Sequence, residues 1–110
     1  MEKVIQIEWV AANLEEARSI SLSLVEKRLV ACAQIVPEIE SVYLWKGKIE
    51  TSKEVKVYLK SSKKHFLQIK EFILRNVSYE LPEILQITIE GHAPYLKWIE
   101  DVTRNPVINS

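Results

Sequence analysis

The sequence is short of glycine and cysteine, and it carries no excess charge of either sign. Gly47 and Gly91 are the only glycines among 110 residues, so the chain has no glycine-rich loop of the kind that binds phosphate groups. Cys32 is the only cysteine, which excludes an intrachain disulfide and favours a reducing, cytoplasmic setting. Fifteen basic residues balance fifteen acidic ones. We therefore expect no nucleic-acid partner.

Long apolar runs are also missing. No stretch approaches the ~18 apolar residues that a membrane-spanning helix needs. The first apolar stretch, residues 4–12, is interrupted by Gln6 and Glu8, which is unlike a secretory signal. We expect no membrane association, and a composition with 47% apolar and 27% charged residues predicts a single globular domain over residues 1–110.

Motifs for catalysis are absent as well. No Ser-His-Asp or Cys-His arrangement can be proposed from spacing, and residues 11–13 lack the arginine expected of an acylphosphatase-like hydrolase. His65 and His92 do not have the spacing of zinc ligands, and we expect both to be exposed. The sequence therefore predicts a protein that is not an enzyme.

What the sequence does contain is an unusually long hairpin over residues 30–60. Lys46, Gly47 and Lys48 supply the reversal, with Gly47 free to adopt a positive φ. Residues 30–45 would span roughly 50 Å if fully extended at ~3.3 Å per residue. A domain of this length has a radius of gyration of about 13 Å and is only roughly 35 Å across. The hairpin must bend at Pro37, overhang the domain, or both, and an overhanging arm favours oligomerisation.

Periodicity predicts a strand and a helix before this hairpin. Residues 3–10 alternate between apolar and polar, as in a half-buried strand. Asn13 and Glu16 have the spacing of a helix N-cap with a carboxylate three residues on. The helix should end near Arg28.

A second helix and strand follow the hairpin. Ser61 or Ser62 is expected to cap a helix that stops at Asn76, and a last strand is expected over residues 85–89. Residues 95–104 complete the chain as a short terminal helix.

The order β-α-β-β-α-β with an extra C-terminal helix predicts an α+β, ferredoxin-like fold with an antiparallel sheet and two helices on one face. The expected side chains beneath these helices are the apolar ones of the first and last strands: Ile5, Ile7, Trp9, Leu85, Ile87 and Ile89. The opposite face has no helix left to cover it, which again favours a subunit of an oligomer.

Four segments resemble the CutA family of divalent-cation tolerance proteins, in the order and spacing of that family. They are residues 24–33 (LVEKRLVACA), 41–50 (SVYLWKGKIE), 79–84 (YELPEI) and 95–99 (YLKWI). The resemblance implies a homotrimer of ferredoxin-like subunits whose sheets face the threefold axis. It also implies a link to copper and other divalent cations.

Two positions depart from the family pattern. Val77 and Ser78 stand where many members have His-Pro, so an imidazole often invoked as a metal ligand is missing. Gln34 stands where the family often has Asn. These departures put metal binding, but not the fold, in question.

Candidate metal ligands are Cys32, Glu80 and Glu83. A thiolate suits Cu(I) and carboxylates suit harder divalent ions, although Cys32 can equally be a small buried side chain of a strand. Tyr79 and Lys60 are candidates for a ligand cleft, which the resemblance places at residues 79–83. The alternatives are that Tyr79 caps the core and that Lys60 is simply solvated.

Tyr43, Trp45 and Trp98 are the expected anchors of the trimer interface, because aromatic residues are enriched at binding hot spots. Two other functions remain open. One is a small-molecule sensor resembling PII-like trimers, with an anionic ligand between subunits. The other is a non-catalytic scaffold for an unidentified protein partner.

Overall fold

A computed structural model describes residues 3–107 and contains the predicted order of elements followed by a terminal helix. The strands and helices are β1 Val4–Ala11, α1 Leu14–Glu26, β2 Cys32–Trp45, β3 Lys48–Ser62, α2 Phe66–Asn76, β4 Ile84–Thr88 and α3 Ala93–Val102. Within the described residues, no helix has the length and apolar character needed to cross a bilayer.

The start of α1 follows the predicted cap. The Asn13 side-chain oxygen accepts a hydrogen bond from the Glu16 backbone N–H at 2.8 Å. Glu16 in turn accepts one from the backbone N–H of Ala12 at 3.0 Å, one residue before the partner of a usual capping box. The helix ends at Glu26, and Arg28 takes a φ of +58° as the chain leaves it.

The hairpin of β2 and β3 is as long as its sequence predicts. Lys46 and Gly47 have φ values of +50° and +81°, the pattern of a two-residue turn with both central residues in the left-handed region. The pairing register shifts between Val36 and Ile39, so the strand is irregular around Pro37. The molecule measures 45 × 31 × 21 Å, and its long axis accommodates the arm formed by residues 39–54.

The sheet has the ferredoxin-like order β2-β3-β1-β4 with every pair antiparallel. Its helix-covered face contributes Ile5, Ile7 and Trp9 to the main core, together with Val57 and Leu59 of β3. Helices α1 and α2 complete that core through Leu24, Ile69 and Ile73, among others. The opposite face of the sheet is called the open face below.

The expectation that Leu85, Ile87 and Ile89 pack beneath the helices is wrong. Directly paired residues share one face of a sheet, and Ile87 pairs with Gln6 whereas Thr88 pairs with Ile5. Leu85 and Ile87 therefore lie on the open face, where they are 54% and 47% exposed. The sequence correctly predicts that apolar and polar residues alternate in β4. It does not reveal the pairing register with β1, which decides which set faces the helices.

The open face is also not free of helices. Ile99 of α3 packs with Val4 and Ala31 in a second, smaller apolar cluster, to which Ile89 also contributes. The terminal helix thus covers one end of this face and leaves the other end uncovered.

The link between β3 and α2 differs from the prediction. Ser61 and Ser62 still belong to β3, and a 3₁₀ turn at Lys63–His65 precedes the helix. Ser62 occupies the N-cap position of the 3₁₀ turn, but its side chain hydrogen-bonds Thr103 and makes no capping hydrogen bond. The Ser61 hydroxyl donates to the Leu29 carbonyl oxygen at 2.5 Å. The expectation that His65 is exposed is wrong, because its Nε2 is buried 2.7 Å from the Thr103 carbonyl oxygen.

Candidate functional site

Tyr79 anchors the segment between α2 and β4, residues 77–83, to the first strand. Its hydroxyl accepts a hydrogen bond from Trp9 Nε1 at 2.9 Å and donates one to the Val10 carbonyl oxygen. Trp9 is itself fully buried in the core. Tyr79 therefore caps the core with its hydroxyl bonded to protein groups, rather than reaching for water.

The surroundings of Tyr79 keep its phenol protonated. Burial raises the pKa of Tyr79 to about 12, and the Trp9 hydrogen bond only partly opposes that shift. Metal coordination by a phenolate would need a lowered pKa. At neutral pH the Tyr79 hydroxyl is protonated and hydrogen-bonded to the Val10 carbonyl oxygen, so it is a poor candidate for a metal ligand.

Glu83 is held by an ion pair on the open face. Lys56 Nζ lies 2.7 Å from Glu83 Oε2 and 3.4 Å from Glu8 Oε1. Burial alone would lower the pKa of Lys56, but the hydrogen bonds and charges of Glu83 and Glu8 outweigh it and raise that pKa. The Glu83 carboxylate is therefore already engaged by a cation.

Glu80 borders an open cleft between the 77–83 segment and the arm. The cleft encloses about 680 Å³, and its walls include Tyr43, Trp45, Glu54, Tyr79 and Glu80. The wall carries one indole ring, two phenol rings and the carboxylates of Glu54, Glu80 and Glu83 beside the ammonium of Lys53, so the cleft suits an apolar or cationic group better than an anion.

Lys60 and Cys32 lie at the other end of the open face. They are direct partners in the β2–β3 pairing, and Lys60 Nζ donates to Gln34 Oε1 at 2.7 Å. Lys60 is buried, so the solvated alternative is wrong. The β1 partner of Lys60 is Gln6, four residues from Val10, where Tyr79 is bound. Lys60 and Tyr79 were expected at one cleft, but within one chain their attachment points on β1 are about 13 Å apart along the sheet.

The three candidate metal ligands do not meet in one chain. Cys32 lies beside Lys60, whereas Glu83 is bound to Lys56, four residues along β3. Across residues 3–107, no group of three or more His, Cys, Asp or Glu side chains is arranged to hold a metal ion. The donor set of a single chain does not fit a copper centre.

The aromatic residues expected at an interface are accessible in the single chain. Tyr43 and Trp45 share one face of the arm, and Tyr43 is partly exposed beside Ser52. Trp98 stacks on Tyr95 with ring centroids 5.6 Å apart, and both remain largely exposed. Ile99, rather than Trp98, docks the terminal helix on its own sheet.

Sequence reasoning missed Lys56 and Glu8. The signal was present, because Lys56, Tyr58 and Lys60 alternate with buried residues along β3 and so share one face. The antiparallel pairing of β1 and β3 then brings Glu8 opposite Tyr58 and next to Lys56. That pairing register could not be read from either strand alone.

Comparison with known proteins gives a consistent family match. Residues 5–102 match the profile of the CutA1 divalent ion tolerance proteins. The chain is 38% identical over 94 residues to Protein CutA of Mus musculus, covering 84% of this chain and 53% of that protein. It is 36% identical over 104 residues to the divalent-cation tolerance protein CutA of Thermus thermophilus, covering 94% of this chain and 99% of that protein.

A solved structure agrees with these sequence relatives. The crystal structure of CutA1 from Oryza sativa superimposes with a TM-score of 0.89 at 32% identity, covering 94% of this chain and 95% of that one. The chain spans about half the length of its mammalian relatives but nearly the whole of the Thermus thermophilus protein.

Proposed function

This chain belongs to the CutA1 family of divalent ion tolerance proteins, and from that membership we propose that it acts in tolerance or response to copper and other divalent cations, as a homotrimer without catalytic activity. The observation that carries the proposal is the family match over residues 5–102. We propose the cytoplasm as its compartment, since its single cysteine suits a reducing setting.

The open face supports assembly. Leu85 and Ile87 present apolar side chains there beside Gln6 and Glu8, while α3 covers only the opposite end. An exposed apolar patch on a sheet is stabilised when a second copy removes it from water, at roughly 25 cal/mol per Å² buried.

The arm supports the same conclusion independently. Leu44 and Ile49 are paired across the hairpin and are 71% and 77% exposed, with Val42 beside them. A pair of strands with apolar side chains this accessible invites pairing with another chain. We propose that Tyr43, Trp45 and Trp98 anchor the contacts between subunits.

The cation role does not require a metal centre in one chain. Cys32 lies at the other end of the open face from Glu80 and Glu83, which border one cleft, and Lys56 already neutralises Glu83. We therefore assign the function to the assembly rather than to a ligand set of the single chain.

A small-molecule sensor of PII type is the second candidate. The observation that favours it is Lys60, a buried cation that donates to the Gln34 amide and has no carboxylate within 4.0 Å among residues 3–107. A rise in melting temperature with nucleotides but not with divalent metals would favour the sensor. A scaffold for a protein partner predicts neither rise.

Growth at increasing copper concentration tests the proposed function. A bacterial strain that lacks its own relative should recover copper tolerance when it expresses this chain. Ile87→Asp on the open face should abolish that recovery by preventing assembly. Leu67→Asp is the control, since Leu67 is an exposed apolar residue of α2, on the far side of the sheet, with 65% of its surface exposed against 47% for Ile87. Equal growth with wild type and Ile87→Asp, or no recovery with wild type, would contradict the proposal.

A further inference from the structure

Two lysines lie four residues apart on the same face of β3, and they have different partners. Lys56 is half-buried between the carboxylates of Glu8 and Glu83. Lys60 is more deeply buried, with only 9% of its surface exposed, and its Nζ donates to the amide oxygen of Gln34. Of these two lysines, Lys60 has less access to water, and it is the one without an acidic partner in the part of the chain that the structure describes.

A buried ammonium group needs more than one neutral acceptor. It carries three N–H donors, and Gln34 Oε1 satisfies one of them. Within residues 3–107, no carboxylate lies within 4.0 Å of Lys60 Nζ. Removing a cation from water without a compensating negative charge is costly, so an anion placed beside Lys60 would stabilise the folded protein.

The side chains around Lys60 are hydrogen-bond donors. Cys32 is the direct cross-strand partner of Lys60, and its Sγ lies 3.6 Å from the Tyr95 hydroxyl on α3. The contact with Cys32, followed by burial, raises the pKa of Tyr95, so its phenol keeps its proton. The amide of Gln34 offers its NH₂ group once its oxygen accepts from Lys60.

We propose that Lys60, Gln34, Cys32 and Tyr95 form a binding site for a small oxyanion, a phosphate or carboxylate group, where α3 meets the open face. Lys60 of β3 offers a charged donor, and the Gln34 amide of β2 offers a neutral one. Cys32 of β2 and Tyr95 of α3 hydrogen-bond each other, so one of these two groups keeps its hydrogen for a ligand. The site is distinct from the cleft at Glu80, whose walls carry carboxylates. It rests on the sensor alternative of the proposed function, to which it assigns a site within one chain, and it does not depend on the cation role.

Titration of the full-length chain with inorganic phosphate, against chloride at matched ionic strength, tests the site. The melting temperature of the wild type should rise with phosphate, because a ligand that binds only the folded state stabilises it. Lys60→Met should remove that rise and weaken phosphate binding about ten- to a hundredfold, the effect of losing a charged hydrogen bond. Lys53→Met, at an exposed lysine of the same strand, is the control and should respond like the wild type.

An equal phosphate response in Lys60→Met would overturn the proposal. So would the absence of any response in the wild type, which would indicate that a carboxylate of a second copy neutralises Lys60. If Lys60→Met does not fold, backbone amide chemical shifts of the wild type decide the question. Phosphate must then shift the signals of Cys32, Gln34 and Tyr95, and shifts confined to other residues would reject the site. A parallel titration with acetate separates a carboxylate site from a phosphate site.

Discussion

Lys56 and Glu83 form the ion pair that fastens the 77–83 segment to the sheet, with Nζ and Oε2 2.7 Å apart. The backbone strengthens this link, because the Val10 N–H donates to the Glu83 carbonyl oxygen at 3.3 Å. Tyr79 adds a second attachment to the same strand through Trp9 and Val10. The wall of the cleft is therefore held at both ends by side chains that sequence spacing alone does not connect.

Replacing Lys56 should destabilise the fold more than replacing an exposed lysine. Lys56→Met leaves two carboxylates without their cation and should lower the free energy of unfolding by about 1–3 kcal/mol. The Lys53 side chain is 74% exposed, so Lys53→Met should change the free energy of unfolding by less than about 0.5 kcal/mol. Urea unfolding at one protein concentration measures both, and equal effects would contradict the assigned role of Lys56.

The same ion pair predicts a loss of stability at alkaline pH. The pKa of Lys56 is raised above its ordinary value of 10.5 in the folded protein. Its contribution is therefore complete below pH 10.5 and is lost as the pH rises through the folded-state pKa. Urea midpoints should show a smaller alkaline decrease in Lys56→Met than in the wild type, and an unchanged decrease would argue against the pair.

Tyr79→Phe should also reduce stability. The substitution leaves the Val10 carbonyl and the Trp9 N–H without their partner, at a cost of about 1–3 kcal/mol. Because burial raises the pKa of Tyr79 from 10.0 to about 12, its contribution is complete below pH 10 and falls away as the pH approaches 12. Ultraviolet titration of the tyrosine phenols should show one fewer group ionising between pH 10 and about 12 in Tyr79→Phe than in the wild type. A difference between the two titration curves centred near pH 10 would show that Tyr79 ionises normally.

Trp45→Ala should weaken self-association by removing an aromatic anchor from the arm. Sedimentation velocity at low micromolar concentration should then show smaller species than for the wild type. Leu22→Ala removes an exposed apolar side chain from α1 and should leave the assembly intact. An unchanged oligomer in Trp45→Ala would remove this residue from the interface.

Much of the fold was predictable because its signals are local. Asn13 and Glu16 mark the start of α1, and Gly47 marks the turn of the hairpin. The face of β4 was not predictable in this way. Whether Ile87 lies under the helices depends on its pairing with Gln6, which involves two strands about 80 residues apart in sequence.

The candidate site was less predictable than the fold, for the same physical reason. Cys32 and Glu83 were grouped by the chemistry of their side chains, but the register of β3 places them beside Lys60 and Lys56 respectively. His65 was expected in water as a residue of the first turn of the second helix, yet it is buried and its Nε2 hydrogen-bonds the Thr103 carbonyl oxygen. Long-range pairing, rather than residue type, determined each of these environments.

Native mass spectrometry under reducing conditions, with and without stoichiometric copper, tests the central claim most directly. The account predicts a species of three times the mass of one chain, with no copper held by any dissociated single chain. A protein that remains a single chain at low micromolar concentration would contradict the proposed assembly. Copper carried in fixed ratio by that single chain would contradict the conclusion that one chain supplies no metal centre.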